Sequence, residues 1–287
     1  MSGSDLTITD AQVHIWAADT PARPWIPGGS GYAHSQEPLT ARSLLNAMKD
    51  AGVRRAVLVP PSWEGDRNDV VAAAARTYPD RFAAMGRIPL QHEIDAEALA
   101  EFMRGEQLAG VRLTFARGEQ RRWLTDGTAD WFWLIAEEAG IPIMLFAPGQ
   151  LPAVGEIAHR HPGLKLIIDH IGLPVDAIGM DLRLLIQPAL ALARYPNVAV
   201  KASALPCLVS ERYPFPSLHE PIRMTFEAFG PERVFWGSDL SRLPCSYREA
   251  ITLFTEELAF LSDSDKTWIM GQALAEWLNW PLQDDAR

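Results

Sequence analysis

The chain has 287 residues, of which 48% are hydrophobic and 22% charged, and its formal net charge is −10. This length and apolar content suit one large α/β domain, whereas the acidic balance argues against nucleic-acid and anionic-membrane binding, because the long-range field would repel both. Cys207 and Cys245 are too few for a disulfide framework, so reduced thiols and a cytoplasmic location are expected.

Apolar runs alternate with amphipathic stretches along the whole chain, which is typical of repeated βα units. The predicted strands are Leu6–His14, Arg55–Pro60, Phe82–Ile88, Leu108–Thr114, Pro142–Ala147, Leu164–His170, Asn197–Ala202 and Val234–Asp239. The predicted helices are Thr40–Ala51, Asn68–Tyr78, Ile94–Arg104, Thr128–Ala139, Gly149–His161, Asp181–Tyr195, Pro216–Phe229, Tyr247–Leu261 and Asp265–Trp277.

Eight nearly continuous apolar strands indicate a parallel sheet covered by helices, and closure into a barrel removes both sheet edges. The sequence therefore predicts a (β/α)8 TIM barrel, as one domain over residues 1–287. An open doubly wound sheet is the alternative, but neither GxGxxG after the first strand nor GxxxxGK occurs. The N-terminus lacks a signal-peptide pattern and no run of about 18 apolar residues appears, so no membrane association is expected.

Polar residues lie at the C-terminal ends of the predicted strands, which converge on the mouth of a TIM barrel where active sites are built. They are Gln12, His14, Arg112, His170, Lys201 and Asp239. The loop Trp16–Glu37 is rich in aromatic residues and predicts a lid or binding loop. The expected aromatic lining of the pocket comprises Trp16, Tyr32, His34 and Trp63.

Side chains alternate faces along a strand, so Asp10, Gln12 and His14 are expected to face the barrel interior. Ala11 and Val13 should then face the helices. The same counting predicts two further shared faces, Leu166 with Ile168 and His170 on the sixth strand, and Ala199 with Lys201 on the seventh.

These residue types indicate particular chemistry. Asp239 can take a proton from water if partial burial raises its pKa toward neutrality or a nearby cation holds it ionised. Alternatively, it can act as a helix N-cap. His170 can donate to a substrate carbonyl, ligate a metal, or be a core histidine with satisfied hydrogen bonds. An inward Lys201 needs a ligand or a charge partner, for which Asp239 is the candidate. Arg112 matches the bidentate geometry of a carboxylate, which favours an anionic substrate.

Several motifs carry a family resemblance. They are TDAQVHIW at 9–16, PSWEGDRN at 61–68, GVRL at 110–113, IIDHIG at 167–172, VKAS at 200–203 and FWGSDL at 235–240. Through the order and spacing of these motifs, the chain resembles the amidohydrolase 2 group of the amidohydrolase superfamily. These are TIM-barrel hydrolases that include sugar lactonases and 2-pyrone-4,6-dicarboxylate lactonase. The resemblance implies hydrolysis of a small carboxylated or sugar-acid lactone.

Metal-binding members of the superfamily carry His-x-His on the first strand, whereas this chain has Gln12, Val13 and His14. The resemblance to the pyrone lactonase implies a mechanism without metal, in which Asp239 activates water. His14, His170 or Lys201 would bond the lactone carbonyl, and Arg112 would hold a substrate carboxylate.

Two alternatives stay open. In a metal-dependent hydrolase or decarboxylase, His14, His170 and Asp239 would bind zinc or manganese. A catalytically silent barrel would bind acidic lactones without turnover, with Gln12 as the sign of lost catalysis. The sequence does not specify the oligomeric state.

Overall fold

The computed structural model describes residues 6–281, and in them eight parallel strands pair in chain order. The strands are β1 (Ile8–Val13), β2 (Val53–Leu58), β3 (Phe82–Gly86), β4 (Gly110–Thr114), β5 (Ile143–Phe146), β6 (Leu166–Ile168), β7 (Val198–Ser203) and β8 (Val234–Gly237). The (β/α)8 barrel predicted from the strand pattern is confirmed. The predicted domain also includes residues 1–5 and 282–287, which lie outside the described residues.

Helices follow the strands and form the outer layer. They are α1 (Ala41–Ala51), α2 (Asp69–Thr77), α3 (Ala96–Glu106), α4 (Gln120–Trp123), α5 (Asp130–Glu138), α6 (Leu151–Arg160), α7 (Leu182–Leu185), α8 (Gln187–Leu190), α9 (Pro216–Phe229), α10 (Tyr247–Thr252), α11 (Asp263–Thr267) and α12 (Ala273–Trp277). Between residues 6 and 281, no helix is long and apolar enough to cross a bilayer.

Two apolar layers hold the barrel together. The outer layer packs strands against helices, with residues such as Val13, Leu166 and Val200. The inner layer fills the barrel with residues such as Met144 and Phe235. Both layers exclude water from the strands, so polar side chains that enter the barrel are buried and need partners.

Backbone and side-chain hydrogen bonds join β8 to β1. The amide of Asp239 donates to the Gln12 carbonyl at 2.9 Å, and the amide of Ser238 donates to Asp10 Oδ1 at 2.8 Å. These two hydrogen bonds hold the backbone in place at Asp239, the residue expected to act as the base.

The prediction that Asp10 faces the barrel interior is wrong, because the register of β1 shifts between Asp10 and Val13. Asp10 instead points toward α10, where the Tyr247 hydroxyl donates to Oδ2 at 2.6 Å. Ala11 packs in the inner layer. The irregularity breaks the alternation assumed for an ideal strand, so Gln12 follows Ala11 into the barrel.

The sixth strand also ends earlier than predicted. Leu166 and Ile168 pack in the outer layer, and the strand stops at Ile168. His170 and Ile171 then adopt left-handed φ angles of 54° and 55°. This turn carries His170 to the barrel mouth, so it does not share a face with Leu166 and Ile168. Ala199, in contrast, lies in the inner layer and Lys201 is buried beside it, as predicted.

The predicted helix Asp181–Tyr195 is divided into α7, α8 and a 3₁₀ turn at Ala191–Arg194. Pro188 lies in its middle, and proline lacks an amide hydrogen and clashes with the preceding turn. The two C-terminal helical predictions are also interrupted, by π-helical segments at Leu253–Glu257 and Trp268–Gln272. In the second segment, a Cβ on Gly271 would come within 2.7 Å of the Thr7 carbonyl oxygen, so glycine permits this close approach.

Candidate active site

A cavity of about 680 Å³ opens at the C-terminal ends of the strands. Seven residues singled out in the sequence line it: His14, Tyr32, His34, Trp63, Arg112, His170 and Asp239. They come from strands and loops far apart in the chain, and the barrel brings them to one place as expected.

Asp239 lies at the floor of the cavity and is almost fully buried. Its Oδ1 lies 3.4 Å from His14 Nε2, and its Oδ2 lies 3.9 Å from His170 Nε2 and 3.5 Å from an Arg242 nitrogen. Burial raises the pKa of Asp239, but in the acid range where this carboxyl titrates the positive charges of the protonated imidazoles and of the Arg242 guanidinium outweigh burial and hold the pKa at about 2. Asp239 is therefore an ionised carboxylate at neutral pH.

One oxygen of that carboxylate has no hydrogen-bond partner within residues 6–281, namely Asp239 Oδ1. Buried polar atoms are nearly always satisfied, so such an atom in a cavity calls for an explanation. The backbone of Asp239 also has a left-handed φ of 54°, which is uncommon outside glycine. Asp239 therefore holds a carboxylate oxygen without a hydrogen-bond donor, within residues 6–281, at the floor of the cavity.

Two histidines flank Asp239, and both are neutral. His14 Nδ1 lies 2.7 Å from the Val59 carbonyl oxygen, and burial lowers the pKa of His14 against the attraction of Asp239. His170 Nδ1 lies 2.8 Å from Ser203 Oγ, and burial lowers the pKa of His170 to about 4. Each ring is held by one nitrogen and presents Nε2 toward Asp239.

The first loop covers part of the mouth through His34. Its Nδ1 lies 2.7 Å from Ser241 Oγ, in the segment that follows the neighbouring strand β8. Its ring packs edge-on against the Trp63 ring, with 4.7 Å between the ring centroids. Burial lowers the pKa of His34 to about 3. Trp16, which was expected in the pocket lining, instead packs edge-on against Trp63 in a small aromatic cluster and is 2% exposed. Trp16 therefore supports the wall formed by Trp63.

Lys201 does not reach the cavity, contrary to its expected contact with substrate, because its side chain is fully buried beneath the site. Its partner is Asp169 and not Asp239: Lys201 Nζ lies 2.8 Å from Asp169 Oδ1. The Arg112 Nε and an Arg112 terminal nitrogen each lie 3.1 Å from Asp169 Oδ2. Arg112 thus has an internal carboxylate as partner while it also lines the cavity.

Asp169, which was not predicted from the sequence as a site residue, is the buried carboxylate that joins Lys201 and Arg112. Burial raises its pKa, but Lys201 and Arg112 outweigh burial and keep the pKa below its usual value. Burial lowers the pKa of Lys201, and Asp169 opposes that shift. The available signal was a carboxylate directly before His170 at the end of an apolar strand.

Arg87 is a second residue that was missed. It follows β3, lines the cavity and is 4% exposed. Both its amide and its carbonyl oxygen are bonded by the Asn68 side chain, at 2.7 and 2.9 Å. Burial, with the nearby Arg112, lowers the pKa of Arg87 to about 10. The sequence signal for Arg87 was a single charged residue at the end of an apolar run, as it was for Arg112.

Gln12 also lies below the cavity wall, fully buried. Its Oε1 accepts from Lys201 Nζ at 2.6 Å, and its Nε2 lies 3.3 Å from His14 Nε2. Asp10, two residues earlier, accepts from Ser238 and Tyr247, and burial raises its pKa to about 6. Gln12 and Asp10 thus support the residues that border the cavity.

The residues present are a poor fit to a divalent metal ion. Across residues 6–281, no group of three or more His, Cys, Asp or Glu side chains is arranged to hold one. The Gln12 amide nitrogen occupies the Nε2 side of His14, where a metal would bind. On β5, Met144 and Phe146 face the interior, and neither supplies a nitrogen ligand.

Comparisons with known proteins extend this description. A family model described as amidohydrolase matches residues 9–278. A curated L-fucono-1,5-lactonase from Burkholderia ambifaria is 28% identical over 249 residues, covering 82% of this chain and 81% of the relative.

Two solved structures share the fold. An amidohydrolase from Burkholderia multivorans with bound zinc has a TM-score of 0.80 at 23% identity, over 96% of this chain and 100% of that one. A probable 2-pyrone-4,6-dicarboxylic acid hydrolase from Acinetobacter baumannii with citric acid bound has a TM-score of 0.74 at 19% identity, over 95% and 99%.

Proposed function

This chain belongs to the amidohydrolase family, and on that premise we propose that it is an enzyme that hydrolyses the ring ester of a small lactone. The observation that carries the proposal is the ionised Asp239, whose Oδ1 lacks a hydrogen-bond partner within residues 6–281 and lies 3.4 Å from His14. Relatives named for lactone hydrolysis support the reaction class.

In the proposed reaction, Asp239 Oδ1 accepts a proton as water attacks the lactone carbonyl carbon. His170 Nε2–H donates to the carbonyl oxygen as negative charge develops on it, with Nδ1 accepting from the Ser203 hydroxyl. When the ring C–O bond breaks, Asp239 returns the proton to the leaving oxygen. The product is a hydroxy acid, and no atom beyond lactone and water is consumed.

We propose that this chemistry proceeds without metal. An ester carbonyl is electrophilic enough for a carboxylate base and hydrogen-bond donors, whereas an amide would call for a Lewis acid. The position of the Gln12 amide against His14 supports this choice. Cys207 and Cys245 are not joined by a disulfide, and we propose a cytoplasmic location, where thiols stay reduced.

We further propose that the substrate carries a carboxylate, bound between Arg87 and Arg112. Both guanidinium groups donate to the same Thr114 hydroxyl, at 3.4 and 2.5 Å, so two positive charges lie side by side in the cavity wall. Arg112 is paired with the buried Asp169 carboxylate, whereas among residues 6–281 the one carboxylate within 4 Å of Arg87 is Asp66, at 3.6 Å. An anionic group from the cavity side would relieve this repulsion.

Arg87→Met tests this assignment. Loss of a charge-assisted hydrogen bond costs about 3 kcal/mol, so we expect kcat/KM for carboxylated lactones to fall by about 100-fold. For neutral sugar lactones, kcat/KM should change by less than about threefold, because these substrates place no carboxylate beside Arg87. Initial rates by pH indicator on both substrate classes provide the measurement.

The matched control is Arg121→Met, which removes an arginine that bonds the Pro148 carbonyl away from the cavity wall. It should leave both substrate classes unaffected. An equal loss on carboxylated and neutral lactones in Arg87→Met would remove Arg87 from substrate recognition.

A further inference from the structure

We propose that Asn68 is a positioning residue for substrate recognition, because its side chain fixes the direction in which Arg87 enters the cavity. The inference deepens the proposed function, since it rests on Arg87 as the partner of a substrate carboxylate. It also assigns a role to the last residue of the PSWEGDRN motif at 61–68.

Arg87 lies one residue beyond the end of β3, where strand pairing no longer holds the backbone. The pairing of β3 with β2 ends at Ala84, and its pairing with β4 ends at Gly86. Continued in the same register, β2 would bring Pro60 and Pro61 beside Gly86 and Arg87. Proline has no amide hydrogen to donate, so these prolines interrupt the ladder before it reaches Arg87.

The Asn68 side chain takes the place of the missing strand. Its Oδ1 accepts from the Arg87 amide at 2.7 Å, and its Nδ2 donates to the Arg87 carbonyl at 2.9 Å. A backbone amide only donates and a carbonyl only accepts, so the two bonds together permit one orientation of the Asn68 amide. Asparagine at the start of a helix usually caps it, yet the Asn68 side chain makes no capping bond to α2. Its polar atoms are committed to Arg87 instead.

The Arg87 guanidinium is held only loosely by its own contacts. Met85 packs in the inner layer, and alternation along the strand sends Arg87 to the same side. There Arg87 Nε is buried without a hydrogen-bond partner within residues 6–281. A terminal nitrogen donates to the Thr114 hydroxyl at 3.4 Å, and Asp66 lies 3.6 Å from Nε. The direction of the guanidinium therefore depends on the Arg87 backbone, which Asn68 holds.

Asn68→Ser tests the inference. The serine hydroxyl is too short to bond both backbone groups of Arg87, and serine suits the start of a helix, so α2 should still begin at Asp69. The probe is benzene-1,3-dicarboxylate, a ring without an ester, and its neutral diamide serves for comparison. We expect the Kd of the dicarboxylate to rise about tenfold, as for a weakened hydrogen bond to a charged group, and that of the diamide to change less than about twofold.

A double-mutant cycle separates positioning from a general weakening of the fold. In an Arg87→Met background, Asn68→Ser should change the Kd of the dicarboxylate by less than about twofold, because Asn68 acts through Arg87. A purely structural role would give the same fold-change in both backgrounds. Asn68→Thr, which also suits a helix start, is the second variant and carries the same expected result.

Asn197→Ser is the matched control. The Asn197 amide nitrogen also donates to backbone carbonyls, those of Ala158, His161 and Leu164, at 3.2, 2.9 and 3.0 Å. Asn197 precedes β7, however, at the end of the barrel opposite the cavity. Asn197→Ser should lower the melting temperature, as Asn68→Ser does, and leave the Kd of the dicarboxylate unchanged.

Titration calorimetry measures the Kd and needs no turnover of lactone. An unchanged Kd in Asn68→Ser would overturn the role of Asn68 alone, as would an equal loss in the Arg87→Met background or in Asn197→Ser. A wild type that binds the diamide as tightly as the dicarboxylate would overturn the carboxylate site and this inference with it. Dicarboxylate binding that responds to Asn68→Ser as expected, in a protein that hydrolyses no lactone, would confirm the inference and overturn only the hydrolase assignment.

Discussion

Asp239→Asn is expected to reduce lactone hydrolysis by about 10³-fold, since general base catalysis contributes roughly 10²–10⁴ in rate. An asparagine amide cannot accept the proton of the attacking water. The substitution keeps the shape of the side chain, and asparagine tolerates the left-handed φ of 54° found at this position. We therefore expect the loss in kcat with a melting temperature within a few degrees of wild type.

The control for this variant is Glu119→Gln, which also removes a carboxylate charge from the cavity wall but lies at its outer loop. Its activity should stay within about threefold of wild type, because charge at the rim is screened by solvent. Activity of Asp239→Asn within a factor of about two of wild type would exclude Asp239 as the base.

Asp169→Asn is expected to have the largest effect on stability. Asp169 lies within 2.8 Å of Lys201 and 3.1 Å of Arg112, and all three side chains are buried. Loss of the carboxylate leaves two buried cations without compensation, and breaking such a pair costs about 3–5 kcal/mol of unfolding free energy. Urea denaturation of both proteins at pH 7 measures the difference.

The sign of the pH dependence gives a second check. In Asp169→Asn, the folded-state pKa of Lys201 falls further below its unfolded value, because burial is no longer opposed by a carboxylate. The unfolded chain then binds more protons than the folded chain, so the stability of the variant rises with pH. The difference in unfolding free energy between wild type and Asp169→Asn should therefore become smaller between pH 7 and pH 9.

A surface pair of similar geometry is the control. Asp181 and Arg183 lie 2.8 Å apart, but both are exposed. Solvent screens exposed ion pairs, so Asp181→Asn should leave the urea midpoint of unfolding close to that of wild type. A cost for Asp169→Asn as small as that for Asp181→Asn would contradict the description of the buried cluster.

Much of the barrel could be predicted from the sequence, because the strands are buried on both faces and read as apolar runs that end in turn residues. The same pattern placed His14, Arg112, His170 and Asp239 at one mouth. Hydrophobic periodicity and the convergence of parallel strand ends are enough to predict these positions, and neither requires side-chain detail.

Other features depend on local irregularities that periodicity does not show. The register shift in β1 sends Asp10 toward α10, and the left-handed turn after β6 brings Asp169 and His170 inward together. Counting faces on ideal strands therefore assigned Asp10 to the wrong side and paired Lys201 with Asp239. Arg87 escaped notice because the predicted third strand was extended through it to Ile88.

In the proposed reaction, Asp239 activates water for lactone hydrolysis without a metal ion. The most direct test measures turnover of carboxylated and sugar lactones and metal content on the same sample, purified without chelator. We expect hydrolysis with much less than one metal ion per chain and no effect of added chelator. Stoichiometric zinc or manganese whose removal abolishes turnover would contradict this mechanism. A metal-free protein that binds lactones without turnover would instead be a ligand-binding barrel.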